Sequence, residues 1–550
     1  MKNSTSPNNP SNDTWSQLRR HWEADLSAGF LVFLIALPLC LGVAVASGFP
    51  PMAGIISAIV GGLLVSRLNS SCLTITGPAA GLIVVILSSV QNLGQGDMLA
   101  GYGYTLAAIV ISGLLQIVLG YYQAGRLAVF FPASVVHGML AAIGIIIIIK
   151  QLSMTMGVQI ANTPTVLAGI TEVIHAQAFY APKIGMIALL AACILIGWPR
   201  LPHPWLKKIP APMLVIVTGI LLGYAFDLTH FQPDPLFKVP ANINVDGPFL
   251  VSIPDSLFDS FHFPDFSKVA SLAFWESVVS ITLIGSLESL LSSAAADRLD
   301  PQKRYSDLNR DLRALGIGNL VSGILGGLPM ITEIVRTSAN IDYGAQSGWS
   351  NFFHGAFLLL FMLLFPGIIA TIPLASLAVL LVYIGFRLAS PQAFAKTLDV
   401  GKEQLFIFVV TILGVIASNL LVGVFIGIIA KLLIHLSRGV SPRNLLKISY
   451  QIEQQDDRFR VTIRGSAVFS NFIALKSALA TLPDRHQVIF DLADIYLIDH
   501  TVMDFVDAFQ ADYKERGGHC EIHGLDNHIA YAGHELAARI KYPREIDRAL

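Results

Sequence analysis

The sequence predicts a polytopic α-helical membrane protein that carries a small α/β domain at its C-terminal end. Of its 550 residues, 54% are hydrophobic and only 13% are charged, whereas soluble domains carry roughly 25% charged residues. Uncharged runs such as 26–66 and 68–96 are each long enough for one or two membrane-spanning helices. The last hundred residues, 451–550, differ because they hold 27 Lys, Arg, Asp and Glu residues.

This composition excludes several classes of protein. A soluble enzyme and a disordered chain do not fit, and a net charge of −1 gives no field that would attract nucleic acid. The four cysteines are scattered, without a disulfide framework or the spacing of a zinc site. Because there is no P-loop and no nucleophile elbow, we expect no catalytic residues, no enzyme activity and no ATP-driven step.

Gly, Pro and polar clusters divide the apolar runs into fourteen predicted spans, which form two halves of seven. We expect 1–25 to be a cytoplasmic segment without a cleavable signal, 26–440 to be the membrane domain, and 447–550 to be a cytoplasmic domain. The predicted spans are 28–47, 51–66, 77–93, 102–120, 129–150, 184–199, 210–226, 270–296, 312–325, 333–343, 351–369, 373–388, 404–419 and 421–437.

The distribution of basic residues supports this count. With the N-terminus inside, the inner connections hold fifteen Lys and Arg residues, whereas the outer loops hold four. This asymmetry is the positive-inside pattern of membrane proteins. It predicts a multi-pass protein of the cell (inner) membrane with both termini in the cytoplasm.

The third and tenth spans are interrupted at matching positions of the two halves. The third follows Thr76-Gly77-Pro78-Ala79-Ala80, and the tenth follows the Gly- and Pro-containing stretch 326–333. Each stretch predicts a short extended piece and then a short helix. Paired interruptions of this kind indicate a mid-membrane binding site in a transporter built from inverted repeats.

Two such helix starts would attract a negatively charged solute. The first N–H groups of a helix lack partners within the helix, and the helix dipole places roughly half a positive charge there. Arg336, one turn into the tenth span, adds a full positive charge. The alternative is a pair of kinks that only help packing, but exposed backbone at membrane depth is tolerated only where protein or a water-filled cavity covers it.

Two carboxylates lie within the predicted spans. Glu288 is in the eighth span, and Ser292, four residues later, shares its helix face. Since a charge in the bilayer is costly, Glu288 is interpreted either as a site for a proton or a sodium ion or as a structural partner of Arg336. Glu333, three residues before Arg336, either takes part in cation-linked transport or only orders the helix start. The lone histidines His137 and His354 are interpreted as packing residues.

The C-terminal segment alternates strand and helix patterns. Residues 459–463 alternate apolar with polar side chains, which is typical of a half-buried strand. Helical spacing follows at 472–482 and 502–513, with short apolar strands at 488–490 and 520–522. A sheet covered by helices is expected, and we interpret it as a docking or regulatory module.

These residues together resemble the sulfate permease (SulP) family of anion transporters over nearly the whole chain. The resemblance rests on several segments of this sequence: Asp25 to Gly29, Leu37-Pro38 and Ala46 to Pro51 in the first span, Gly77-Pro78 in the third, Gly285 to Leu291 in the eighth, and Gly326 to Pro329 with Arg336-Thr337 and Asn340 in the tenth. It implies the fourteen-span fold shared with uracil permease. In that fold a core domain (spans 1–4 and 8–11) moves against a gate domain (spans 5–7 and 12–14).

The resemblance also implies a STAS domain at 447–550 and a homodimer. The stretch Asp499-His500-Thr501 matches the loop in which STAS anti-sigma antagonists carry a phosphorylated serine, and His500 stands at that position here. A cytoplasmic partner for this domain is possible, whereas no nucleic-acid partner is expected.

The resemblance assigns roles to individual residues. In the sodium–bicarbonate branch of the family, an acid and a hydroxyl on span eight hold sodium, matching Glu288 and Ser292, while the start of span ten contributes backbone contacts to ion and anion. The predicted substrate-binding residues are Thr76, Gly77, Ala79, Ala80, Thr332, Glu333, Ile334 and Arg336. Cation coupling is assigned to Glu288, Ser292 and Glu333. Two positions depart from the family pattern: Leu39, where many members have glutamine, and Glu333, where most have a small residue.

The sequence therefore predicts a secondary active transporter of small inorganic anions, sulfate or bicarbonate. Transport would be coupled to H⁺ or Na⁺, or would run as an exchange, and no cofactor other than such an ion is expected. The alternatives are a C4-dicarboxylate transporter, a passive anion channel, or a membrane-anchored sensor in which the C-terminal domain is the functional part.

Overall fold

The computed structural model describes residues 14–125, 132–157, 181–202, 209–230, 249–252, 261–302, 304–455, 458–479, 481–483 and 485–542. A helix lies at each of the fourteen predicted spans, and we label these helices α1 to α14. Their bounds are Thr14–Ala46 (α1), Pro51–Val60 (α2), Ile83–Gly94 (α3), Met98–Tyr121 (α4), Ala133–Thr155 (α5), Pro182–Gly197 (α6), Ala211–Ala225 (α7), Leu272–Leu299 (α8), Leu308–Ile324 (α9), Ile334–Asp342 (α10), Trp349–Leu364 (α11), Leu374–Leu388 (α12), Lys402–Ala417 (α13) and Leu420–Ser437 (α14). Within the described residues, eight helices are long and apolar enough to cross a membrane, so the prediction of a multi-pass helical membrane protein is confirmed.

The interrupted segments form two very short strands, β1 at Thr76–Gly77 and β2 at Ile331–Thr332. Between β1 and α3 lies one 3₁₀ turn, Ala80–Leu82, whereas Glu333 alone separates β2 from α10. A short extended piece followed by a short helix is therefore found in both places, but Pro78 follows β1 whereas Pro329 precedes β2.

One predicted span is broken by proline. The prediction ran from 351 to 369, but α11 ends at Leu364 and a short helix, Pro366–Ala370, begins after Phe365. Pro366 has no N–H group for the helix ladder, and its ring clashes with the preceding turn, which accounts for the break at Phe365.

The chain divides into two compact units, which are 1–125 with 143–387, and 126–142 with 388–550. In the first unit, helices α4 and α9 pack at van der Waals contact through glycines. A Cβ on Gly113 would lie 2.6 Å from the carbonyl oxygen of Gly316. This close approach places the polar side chains of both helices next to β2.

The second unit contains α13, α14, a short helix at Pro442–Leu446 and the tail domain, Ser449–Lys541. The tail domain has helices α15 (Ile473–Leu479) and α16 (His500–Glu515) and seven strands: β3 Ser449–Gln455, β4 Arg458–Ala467, β5 Gln487–Asp491, β6 Ile495–Ile498, β7 His519–His523, β8 His528–Ala530 and β9 Arg539–Lys541. The strand order is β7-β5-β4-β6-β9-β8, with β3 also paired to β4.

Strand β4 is the centre of the tail domain because it pairs with three other strands. Its first part pairs with β3 and β5, and its last residues pair with β6 after a shift in register at Gly465. Gly465 has φ +79°, a conformation that glycine adopts at no steric cost. The helix and strand patterns predicted at 459–463, 488–490, 502–513 and 520–522 all coincide with regular elements, and the whole is the predicted sheet covered by helices.

Candidate functional site

The two interrupted segments meet as a two-stranded antiparallel ribbon. Thr76 lies opposite Thr332, and Gly77 lies opposite Ile331. Because the chain leads from each strand into a helix, the N-terminal ends of α3 and α10 start from the same ribbon. Antiparallel pairing of matched segments is what two halves related by an axis in the membrane plane produce.

The backbone of Glu333 and two side chains of α10 extend the contact between the two segments. The N–H of Glu333 donates to the carbonyl of Ile75 at 2.9 Å, and the N–H of Ile75 donates to Oγ1 of Thr337 at 3.0 Å. Further along, Nδ2 of Asn340 donates to the carbonyl of Leu73 at 2.8 Å. The extended chain before β1 is therefore bound along the side of α10.

Thr76 also fixes the ribbon to α2. Its hydroxyl donates to the carbonyl of Gly61 at 2.9 Å and accepts from Nδ2 of Asn351 at 3.2 Å. At Gly61 the helix α2 passes into a π-helical turn, Gly61–Val65, and such turns are frequent at functional sites. A Cβ at Gly61 would lie 2.5 Å from the Thr76 carbonyl oxygen, so only glycine permits this approach.

Arg336 places a buried positive charge beside the start of α3. Its side chain is among the largest fully buried ones, at 1% exposure. Nη2 donates to the carbonyl of Pro78 at 3.0 Å, and Nη1 lies 3.4 Å from Sγ of Cys40. Nε has no hydrogen-bond partner in the described part of the chain. The guanidinium thus has donor capacity left for a ligand.

Glu333 is the N-cap of α10. Its Oε2 accepts from the backbone N–H of Arg336 at 2.7 Å. Glu333 therefore orders the start of α10 through the backbone amide of Arg336. A role of Glu333 in cation-linked transport stays a prediction. The side chain of Glu333 is half-buried.

Glu288 is buried without a partner. It is 7% exposed, and neither carboxylate oxygen has a hydrogen-bond partner among the described residues. A Cβ on Gly81 would lie 2.0 Å from Oε1 and 2.1 Å from Oε2 of Glu288. The carboxylate therefore lies directly against the backbone at the start of α3, next to the ribbon.

Two serines that sequence reasoning did not single out connect α8 to β2. Oγ of Ser289 accepts from the N–H of Thr332 at 3.1 Å, and Oγ of Ser293 lies 3.4 Å from Oγ1 of Thr332. Ser292, the predicted neighbour of Glu288, is half-buried on the same helix.

The remaining predicted site residues lie at the two helix starts. Ala79 is buried in extended backbone just before the 3₁₀ turn, and Ala80 begins that turn. Ile334 is the first residue of α10. The structure thus places the eight predicted substrate-binding residues on or beside one ribbon, with Glu288 at its edge.

A polar network that the sequence did not indicate contacts the chain directly before β2. Oδ1 of Asn319 accepts from the N–H of Met330 at 2.6 Å, and its Nδ2 donates to Oε1 of Gln116 at 2.8 Å. Nε2 of Gln116 in turn donates to Oγ of Ser286 at 3.3 Å. Helices α9, α4 and α8 are in this way all connected to the ribbon.

The site contains charged groups of both signs. Helix starts and Arg336 are positive, whereas Glu288 and Glu333 are carboxylates. Among the described residues there is no group of three His, Cys, Asp or Glu side chains that could hold a metal ion. Among the described residues, Nε of Arg336 and both carboxylate oxygens of Glu288 are buried without a hydrogen-bond partner.

A multi-pass helical membrane protein whose matched interrupted helices meet around buried charges belongs to the class of inverted-repeat transporters. The model of the sulfate permease family matches residues 22–411. The chain is thus a member of the sulfate permease family.

Three similar proteins illustrate the relationship. The putative sulfate transporter YbaR of Bacillus subtilis is 24% identical over 92% of this chain and 96% of its own length. The bicarbonate transporter BicA of Picosynechococcus is 25% identical, over 80% of this chain and 75% of its own. The solved structure of the murine Solute Carrier 26 family member A9 anion transporter in the inward-facing state has a TM-score of 0.65 at 16% identity and covers 95% of this chain and 90% of that chain.

The last of these matches extends to the C-terminal part, and the sheet region of the tail domain is compatible with a STAS domain. The names of these relatives support neither a C4-dicarboxylate transporter nor a passive channel. The domain limits 1–25, 26–440 and 447–550 stay predictions, as do the roles of the site residues.

Proposed function

We propose that the protein is a secondary active transporter that moves a small inorganic anion, sulfate or bicarbonate, across the cell's inner membrane. The observation that carries the proposal is the β1–β2 ribbon: α3 and α10 follow its two strands, and the Arg336 guanidinium donates to the carbonyl of Pro78 just before α3. Relatives named as sulfate and bicarbonate transporters support the choice of cargo.

The anion would bind at the two helix starts. Backbone N–H groups and a helix dipole favour a negative charge there without a bulky side chain. The unpartnered Nε of Arg336 adds a charged donor from one side. In this proposal Thr76, Gly77, Ala79 and Ala80 contribute from the third span, and Thr332 to Ile334 contribute from the tenth.

A coupling ion would bind at Glu288. A carboxylate without a partner at membrane depth is costly unless a proton or a cation neutralises it. We propose that Glu288 takes up H⁺ or Na⁺ together with the anion, that Ser292 is a further oxygen ligand if the ion is Na⁺, and that Glu333 contributes to the coupling. Exchange of one anion for another is the remaining mode.

The orientation and assembly are part of the same proposal. The fifteen inner and four outer basic residues support cytoplasmic N- and C-termini. We further propose a homodimer and a cytoplasmic partner for the tail domain, on the family resemblance alone.

Uptake into proteoliposomes tests the proposal. Labelled sulfate, bicarbonate and succinate are offered separately, with a Na⁺ gradient or a pH gradient imposed one at a time. Concentrative uptake of an inorganic anion is expected under one of these gradients or, for an exchanger, into vesicles preloaded with unlabelled anion. The absence of uptake under all three conditions would overturn the proposal.

The role of Glu288 has a matched control on its own helix. Glu288→Gln should abolish gradient-driven uptake, because the neutral amide takes up no proton at neutral pH and has no negative charge to balance a bound cation. Glu276→Gln makes the same change at an exposed position of α8 and should leave uptake unchanged. Normal concentrative uptake by Glu288→Gln would remove Glu288 from the coupling.

A further inference from the structure

Glu333 occupies a donor that an incoming anion would use. Its Oε2 accepts from the N–H of Arg336 at 2.7 Å, and this N–H is one of the first amides of α10, which lack partners within the helix. The chain therefore carries its own carboxylate at the positive end of one of the two helices that face the site.

Two unpartnered buried groups lie beside the start of α3, across the ribbon from this capped end of α10. Nε of Arg336, in a side chain 1% exposed, has no partner in the described part of the chain. Both carboxylate oxygens of Glu288, which is 7% exposed, also lack partners there. Donor and acceptor capacity is left over at the ribbon, and a bound ion of each sign would satisfy it.

We propose that Glu333 is an internal competitor of the transported anion and that its charge makes the site prefer monovalent over divalent anions. The inference rests on the proposed function, since it needs an anion to bind at the start of α10. Glu333 acts here as a specificity-determining residue, while the N-terminal amides and Arg336 provide the attraction.

The physical basis is the dependence of repulsion on charge. The energy between the Glu333 carboxylate and a neighbouring anion is proportional to the charge of that anion. A divalent oxyanion is therefore repelled twice as strongly as a monovalent one at the same position. The attraction of the amide dipoles and Arg336 also grows with the charge of the anion, and it remains when the carboxylate is removed. Removal of the carboxylate therefore increases the affinity for the divalent anion more than that for the monovalent one, by about tenfold or more at the effective dielectric of a partly buried site.

A pair of substitutions separates charge from capping. Serine and aspartate are both good N-cap residues, so Glu333→Ser and Glu333→Asp both keep a cap on α10, but only the aspartate keeps the charge. Asp97 provides the control, because its carboxylate caps α4 by accepting from the N–H groups of Leu99 and Ala100, each at 3.0 Å, on an exposed turn. Asp97→Asn removes a capping charge away from the ribbon.

The labelled anion is sulfate or bicarbonate, whichever the wild-type protein takes up into proteoliposomes. The experiment measures how well unlabelled sulfate and unlabelled bicarbonate each compete with this uptake. All variants are compared at one mildly alkaline pH, where bicarbonate carries one charge and sulfate carries two. The result is the ratio of the two inhibition constants, which a general loss of folded protein does not change.

We expect Glu333→Ser to shift this ratio toward sulfate by about tenfold or more, while Glu333→Asp and Asp97→Asn keep the wild-type ratio. An unshifted ratio in Glu333→Ser, or an equal shift in Glu333→Asp, would overturn the inference and leave the proposed function intact. If the wild-type protein takes up neither anion under any gradient or into preloaded vesicles, the proposed function fails and the inference fails with it.

Discussion

The ammonium group of Lys431 lies 3.2 Å from Oδ2 of Asp499, and both side chains are almost fully buried. Lys431 is on α14, and Asp499 is the N-cap of α16, where its other oxygen accepts from the N–H of Val502 at 2.9 Å. His435, one turn after Lys431, lies 3.5 Å from the same carboxylate oxygen. The last span and the tail domain therefore share one buried ion pair.

Removal of the lysine charge should destabilise this contact. Lys431→Met keeps most of the side-chain volume but leaves Asp499 buried without its main cation, and breaking a buried pair in this way costs about 3–5 kcal/mol. Thermal unfolding of the purified protein should show a clear decrease in Tm. Lys541→Met removes an exposed pair with Asp494 and should cost less than about 1 kcal/mol. Equal decreases in Tm for both variants would contradict this assignment.

The same pair predicts a pH dependence. Burial alone would raise the pKa of Asp499, but Lys431 and His435 outweigh it and hold this pKa well below the usual carboxyl range. A depressed pKa stabilises the folded state above the pKa of the unfolded chain, about 4, and this contribution is lost as the pH falls through the folded value. The Tm difference between wild type and Asp499→Asn should stay constant from neutral pH down to about pH 5. A difference that already shrinks near neutral pH would show that another group controls the contact.

Gly81 should tolerate no side chain. A Cβ there would overlap the carboxylate of Glu288, so Gly81→Ala should displace Glu288, destabilise the protein by about 1–3 kcal/mol and abolish gradient-driven uptake. Gly367 lies in a short helix, and a Cβ there would meet nothing within 4 Å, so Gly367→Ala should behave like wild type. Uptake and Tm measured on both variants check this, and normal uptake by Gly81→Ala would refute the placement of Glu288.

Arg336 should not be replaceable by lysine. Its guanidinium contacts Pro78 and Cys40 and keeps Nε available, whereas an ammonium group is a compact charge without this fixed fork. Arg336→Lys should weaken anion affinity by about tenfold, the loss of one charge-assisted hydrogen bond. Arg310→Lys, at an exposed arginine that donates to the carbonyl of Leu68, is the matched control. Equal affinities in a direct binding assay would exclude Arg336 from the site.

The positions of the fourteen helices could be predicted because their signals are local. Charge-free runs of sufficient length and Gly or Pro at their ends determine where each helix lies. The interrupted segments were predictable for the same reason, since Gly and Pro act on the backbone next to them. In the tail domain, the strand at 459–463 and the helix at 502–513 follow from their apolar periodicity.

The contacts within the site were less predictable because they join distant parts of the chain. The register that sets Thr76 against Thr332 depends on packing between the two halves, which no local pattern encodes. Helical spacing pairs Glu288 with Ser292, but it equally pairs Ser289 with Ser293. Only the position of β2 decides which of these serines contact Thr332. The polar network of Asn319 and Gln116 has no sequence signature for the same reason.

The ribbon formed by β1 and β2 limits how a bound anion could leave the site. Its strands are joined by main-chain hydrogen bonds, and Thr337, Asn340 and Thr76 add further bonds on either side. Separation of α3 from α10 would break all of these hydrogen bonds at once. A bound anion would therefore move together with the ribbon, α3 and α10 as one unit. Release to either side of the bilayer would require this unit to shift relative to the rest of the protein.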